Sequence, residues 1–184
     1  MFPSRIASVL GGGVGLPNNY SLSFDGTDDY VDVSLSNIAS SYFTVSAWVK
    51  RDSSSGSANG GMFITAQSGS PYEGTDCYIQ KSNGAIGTYI SSDGEFKYSS
   101  TQTLADDTWS FCVWVFYKHE VSGTVKVSVN GANLETLFTG DTGTANLLYG
   151  DGDVLIGKWQ GGNVFGGHID EVSLWNTALS AGDI

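Results

Sequence analysis

The sequence predicts an all-β fold, with two antiparallel sheets packed face to face as a sandwich. Three observations carry the prediction. Short stretches of alternating apolar and polar residues recur along the chain, the period that places successive side chains on opposite faces of a strand. Gly, Asn and Asp punctuate these stretches, whereas helical spacing of apolar residues is almost missing. Gly reaches 25 and Pro only 3 in 184 residues, with aromatics at 12%, a mixture suited to a sheet-rich globular chain with many tight turns. No repeat of about 20 to 50 residues is present, which argues against a propeller or a solenoid. The length fits one domain able to bury a core.

Residues 1–19 form a Gly-rich leader, broken by Gly11-Gly12-Gly13 and ending in Pro17-Asn18-Asn19. With no periodicity of its own, it reads as an arm or linker expected to dock on a neighbouring subunit, and residues 20–184 read as the sandwich domain. The first strand is predicted over 20–24, with Tyr20, Leu22 and Phe24 on one face, then an Asp25-Gly26 turn and a short strand over 30–33. Residues 43–50 alternate clearly: Phe43, Val45, Ala47 and Val49 toward the core, Trp48 on the other side. A Ser/Gly-rich loop over 51–61 precedes a strand at 62–66, and a second loop runs over 67–76. Strands at 77–80, 85–90 and 95–98 form a meander through Asn83-Gly84 and Asp93-Gly94, pairs that tolerate the positive φ of hairpin turns. The longest strand is predicted over 108–118. Trp109, Phe111, Val113, Val115 and Tyr117 share one of its faces, and Cys112, Trp114 and Phe116 the other. Apolar on both sides, it reads as a central strand covered on both faces, with Trp109, Phe111, Val113 and Val115 buried between the sheets or under a covering loop. Residues 124–129 turn at Asn130-Gly131 into 133–138, and strands at 154–158 and 166–175 complete the set. Ser180 and Asp183 have the spacing of a capping box, so a short helix is expected to begin there and the gene product to continue beyond Ile184.

Eight basic against nineteen acidic residues give a formal charge of −11. Such a field repels nucleic acid and anionic membrane, and neither is an expected partner. No apolar run approaches the ~18 residues of a membrane span, and the first sixteen residues make a poor secretory signal. Cys77 and Cys112 both fall inside predicted strands and read as small buried hydrophobes, with a disulfide left open.

The segment 166–180 organises the rest. Strict alternation places His168, Asp170, Val172 and Leu174 on one face, and Ile169, Glu171, Ser173 and Trp175 on the other. Each acid then lies among apolar groups and needs a partner, a cation or water. Glycoside hydrolysis requires two carboxylates facing each other across the scissile bond, and adjacent acids on a strand point apart. No residue has the setting of a nucleophile elbow. A non-catalytic protein is expected. Sugar recognition pairs an aromatic face with polar side chains; Tyr72, Tyr149 and Trp159, in or beside loops, are the candidates, each also readable as a loop anchor.

Four segments, YSLSFDGTDDYVDV (20–33), FTVSAWVK (43–50), VKVSVNG (125–131) and 154–184 with HIDEVSLWNTALSAGDI, resemble the laminin-G-like, or concanavalin A-like lectin/glucanase, jelly-roll modules. The chain departs at Trp109-Ser110-Phe111, where many relatives have Trp followed by two His. The resemblance implies two curved antiparallel sheets, usually non-catalytic, that bind sugars or proteins and often hold one calcium. Related glucanases carry alternating acids on one strand, and no such run occurs here. The resemblance also brings the first and last strands together and makes Asp25 and Asp170 the candidate ligands of a structural calcium, with Asp28 and Asp29 able to add oxygens. Read without an ion, Asp25 makes an Asx-type turn and Asp170 accepts backbone or hydroxyl donors. The functional expectation is a non-catalytic binding or structural module on a virion surface, a decoration, fibre or tail-tip adhesive protein that engages a glycan or protein surface and other assembly subunits. The alternative is a carbohydrate-binding lectin module of a secreted bacterial protein, acting outside the cell. Self-association into a homo-oligomer is compatible with either.

Overall fold

The computed structural model describes residues 20–33, 42–56, 61–68, 73–91, 95–119, 122–141, 154–158 and 162–184. The leader over 1–19 and the Asp93-Gly94 turn lie outside them. In chain order the strands are β1 (Leu22–Asp25), β2 (Val31–Val33), β3 (Tyr42–Arg51), β4 (Gly61–Ser68), β5 (Glu73–Ile79) and β6 (Ala85–Ser91). They continue with β7 (Glu95–Thr103), β8 (Ser110–His119), β9 (Ser122–Val129), β10 (Glu135–Asp141), β11 (Val154–Ile156) and β12 (Gly166–Trp175). One sheet has the order β1-β12-β3-β8-β9-β10 and the other β2-β11-β4-β5-β6-β7. The neighbours in both run antiparallel, so the two-sheet sandwich is as the alternation predicts. At Asn130-Gly131 both residues adopt positive φ, 54° and 71°, the geometry that matches a tight hairpin to strand twist.

The inward faces of β3 and β8 build much of the core. Phe43, Val45, Ala47 and Val49 face it from β3, opposite Phe116, Trp114 and Cys112 from β8. Phe43 and Phe116 stack with centroids 4.1 Å apart. The second sheet contributes Cys77, Ile79, Ile86 and Ile90. Both cysteines are free thiols, and burial raises both pKa values, that of Cys77 further through the neighbouring Asp76 carboxylate. They are poor nucleophiles and pack as small hydrophobes.

Trp114 crosses between the sheets: its indole N–H donates to the Gly87 carbonyl of β6 at 2.8 Å, which satisfies a buried donor. Gly87 is required there, because a Cβ would collide with the Tyr78 ring and the Tyr98 carbonyl. Tyr78 in turn donates to the Tyr98 carbonyl at 2.8 Å. Gly87→Ala is expected to cost about 1–3 kcal/mol through overpacking, measured as a lower urea midpoint at unchanged slope.

β5 begins at Glu73, inside the stretch read as a loop, and β10 runs on to Asp141; beyond these strand ends the structure corrects the sequence reading at three sites on the sheets and the C-terminus. Of the four β8 residues expected to be buried, Val113 and Val115 are, on the outer face of their sheet. The C-terminal segment lies nearby: Thr44, paired with Val115, donates to the Thr177 carbonyl at 2.8 Å and accepts from the Leu179 N–H at 2.9 Å. Trp109 is exposed and Phe111 half-buried on that same side. Tyr20 and Leu22 share a side with Phe24 by alternation but are exposed, because β1 is an edge strand. Finally, Ser180 and Asp183 make the expected bonds, Ser180 Oγ donating to Asp183 Oδ2 at 2.6 Å, but they close a single turn and not a helix.

Candidate functional site

The alternation expected through 168–175 breaks at Glu171. That residue takes a φ of 48°, and the register with β3 shifts between Asp170 and Ser173. A β-bulge inserts one extra residue and re-aims side chains on either side of it. Ile169 therefore points into the core and Val172 packs against the core as well, three positions on. Asp170 does not share a face with Val172. It pairs with Trp48, which lies on the outer face, and its Oδ1 accepts the Glu171 N–H at 2.8 Å. The carboxylate helps hold the bulge, which turns Val172, and not Asp170, to the other face.

Strand order then brings together groups far apart in sequence. β12 lies between β1 and β3, and β3 beside β8, so outward residues form rows across four strands. One row runs Asp170, Trp48, Phe111, with the Trp48 and Phe111 rings 5.5 Å apart. The next runs Ser23, His168, Lys50. Trp109, just before β8, reaches it with its ring 6.2 Å from that of His168. Trp48 and Trp109 are both 39% exposed, unusual for indoles and open to a ligand.

Beside this platform the outer face opens into a cavity of about 250 Å³. Lys50 and His168 line one side, and the carboxylates of Asp25, Asp52 and Asp107 contribute to the rest. Ser54 donates to Asp52 Oδ1 through both its N–H (2.8 Å) and its hydroxyl (2.6 Å), and these bonds hold the carboxyl below the usual Asp range. A glycosidase general acid needs the opposite shift. The arrangement can grip a polar ring beside two indoles; it offers no raised-pKa acid at Asp52.

The register separates the two carboxylates expected to share an ion. Asp25 pairs with Gly166, four residues before Asp170, which places them roughly 13 Å apart along the strands. They cannot ligate one cation directly together. Asp25 instead clusters with Asp28 and Asp29, whose exposed carboxylate oxygens lie within 4.8 Å of one another. Asp25 Oδ1 accepts the Thr27 N–H at 2.7 Å, the Asx-type turn, and Asp29 Oδ2 accepts the Asp25 N–H at 2.9 Å. All-carboxylate oxygen is the donor chemistry calcium takes, so the set fits that ion through Asp25, Asp28 and Asp29 and not through Asp170.

Tyr72, Tyr149 and Trp159 lie outside the described residues. Of the aromatic platform, the sequence signalled only Trp48, by its place opposite the core face. Trp109 was expected buried, and nothing local to it shows that β12 would put His168 beside it.

A family model for the concanavalin A-like lectin/glucanases superfamily, laminin-G type, matches residues 25–184. Among solved structures the chain is similar to domain 4 of a GH43 extracellular arabinanase from Geobacillus stearothermophilus in complex with arabinotriose. That match has TM-score 0.64 at 17% identity, over 89% of this chain and 73% of that one. It is similar to the Ruminococcus gnavus IT-sialidase CBM40 bound to α2,3-sialyllactose, with TM-score 0.59 at 17% identity, over 87% and 91% of the two chains. It is also similar to domains LG4-5 of the mouse laminin α1 chain, with TM-score 0.65 at 14% identity, over 94% of this chain and 46% of that one. No curated protein sequence matches. At these identities the likeness is one of fold.

Proposed function

Because the chain belongs to the concanavalin A-like lectin/glucanases superfamily, we propose that it is a non-catalytic glycan-binding module that uses the outer face of its first sheet. The observation that carries this is the exposed pair Trp48 and Trp109, flanked by Asp170, Lys50 and His168 above a polar cavity. Sugar rings present C–H faces that pack on indole and hydroxyls that need convergent polar partners. Structures of the same fold hold arabinotriose and sialyllactose, which supports a sugar as the ligand class. Trp48→Ala and Trp109→Ala are each expected to weaken glycan binding about tenfold, consistent with the loss of an aromatic contact. Both rings are partly exposed, so thermal stability should move little. Isothermal titration and melting curves check this together: retained affinity in both variants would remove the platform from the function.

Such a module would serve as an adhesive protein on a virion surface, where its charge of −11 keeps it off nucleic acid and anionic membrane. A secreted bacterial setting is the second reading, favoured by the kinship of fold with the arabinanase and sialidase modules. Peptides of this chain in purified particles, against peptides in culture supernatant free of particles, decide between them. Calcium at Asp25, Asp28 and Asp29 would brace the turn after β1. Ion binding to the folded state alone would add about 2.7 kcal/mol at a hundredfold excess over Kd. A melting curve unmoved by calcium or chelator would dismiss it.

A further inference from the structure

The charge around the cavity carries a statement about which glycan enters it, and it rests on the glycan-binding reading above. Three acidic residues, Asp25, Asp52 and Asp107, line the cavity with the basic Lys50 and Arg51 and with His168. With no calcium bound, Asp28 and Asp29 add two more carboxylates beside Asp25. Arg51 also borders the cavity, and a guanidinium is the group best shaped to pair with a sugar carboxylate. Its fork is engaged elsewhere. Nε donates to the Leu104 carbonyl at 3.0 Å, Nη1 to the Lys81 carbonyl at 2.8 Å, and Nη2 pairs with Asp106 at 2.7 Å. Among the described residues lining the cavity, Lys50 is the remaining cation for an acidic sugar, outnumbered by the acids around it. At about 250 Å³ the cavity is below the ~300–1,000 Å³ typical of drug-sized sites. It has room for about one ring, so a charged substituent on that ring would sit close to the carboxylates.

We infer that the site takes uncharged sugars and discriminates against glycans bearing carboxylate or sulfate. Carboxylate oxygens accept from sugar hydroxyls, whereas an anionic substituent meets like charges at short range.

The test is titration of the full chain in chelator, so that no calcium masks Asp25, with paired probes that differ by one charge: lactose against 3′-sialyllactose, and neutral arabino- and gluco-oligosaccharides against uronate counterparts. The neutral member of each binding pair should win by about tenfold or more in low salt, and the gap should narrow in 0.5 M NaCl because salt screens partly exposed charges. The double variant Asp25→Asn, Asp107→Asn keeps both side-chain acceptors and suits the positive φ of Asp107, 53°, which Asn tolerates. It should narrow the gap by about threefold or more. Tighter binding of the acidic partner overturns the inference while leaving glycan binding intact. So does a gap indifferent to both salt and the double variant. Failure of every sugar in the panel overturns the glycan-binding reading itself, and the inference falls with it.

Discussion

Replacing Arg51 by Ala is expected to destabilise the domain by about 2–6 kcal/mol, the sum for stranding the two carbonyls that its guanidinium best satisfies. Arg51 ends β3 in the first sheet and is 9% exposed. Its guanidinium reaches the Gln80 and Lys81 carbonyls at the β5–β6 turn of the second sheet, and the Leu104 carbonyl after β7. Its backbone carbonyl accepts the Asp107 N–H at 3.0 Å. One side chain thus fastens the two sheets at this end. Truncation removes the donor from the Leu104 and Lys81 carbonyls, each costing about 1–3 kcal/mol where water cannot reach it, while the Gln80 carbonyl still accepts the Gly84 N–H. Arg51→Lys should recover little, since an ammonium cannot serve a planar set of acceptors. Asp106→Asn should cost under about 1 kcal/mol, because the Asp106 side chain is 44% exposed and its pairing is screened. Urea denaturation of the three variants checks the order. An Arg51→Ala midpoint close to that of the parent would show that the sheets are fastened elsewhere.

Val113→Asp is expected to abolish folding. Val113 is 1% exposed in the middle of β8, flanked by Ser46 and Ser128, which are also buried. The adjoining hydroxyl of Ser128 is engaged with the Ala132 carbonyl at 2.7 Å. An aspartate there brings a charge with no cation among its paired neighbours, at a cost of several kcal/mol against a total stability of about 5–15. Val113→Thr, nearly the same shape, should cost only about 1–3 kcal/mol for its buried hydroxyl and retain a cooperative transition. Circular dichroism melts of both distinguish a charge effect from a general intolerance of the site. A soluble Val113→Asp protein with a cooperative melt would mean that this outer face is open to water.

Much of the fold was legible because strand alternation is local. Phe43, Val45, Ala47 and Val49 point inward as their spacing says, and Asn130-Gly131 turns as its residues require. The faces of β8 were ambiguous. With large apolar groups on both sides, only partners could decide that Trp114 enters the core while Trp109 stays at the surface. Asp170 failed for a related reason. Alternation holds up to the bulge between Asp170 and Ser173, and a bulge is an event between two strands, invisible in one of them.

By itself, then, the sequence determined the strands, the hairpins, the inward faces and the acidic character, all of which follow from a two-residue period, turn chemistry and side-chain charge. The resemblance placed the first strand beside the last; the tertiary structure alone decided that β12 also pairs with β3, and in which register. That placement sets Asp170 against Trp48 and His168 near Trp109, and keeps Asp25 from Asp170. Pairing of strands well over a hundred residues apart depends on which hydrophobic faces close the sandwich most completely, and no local pattern in the chain encodes the neighbours that result.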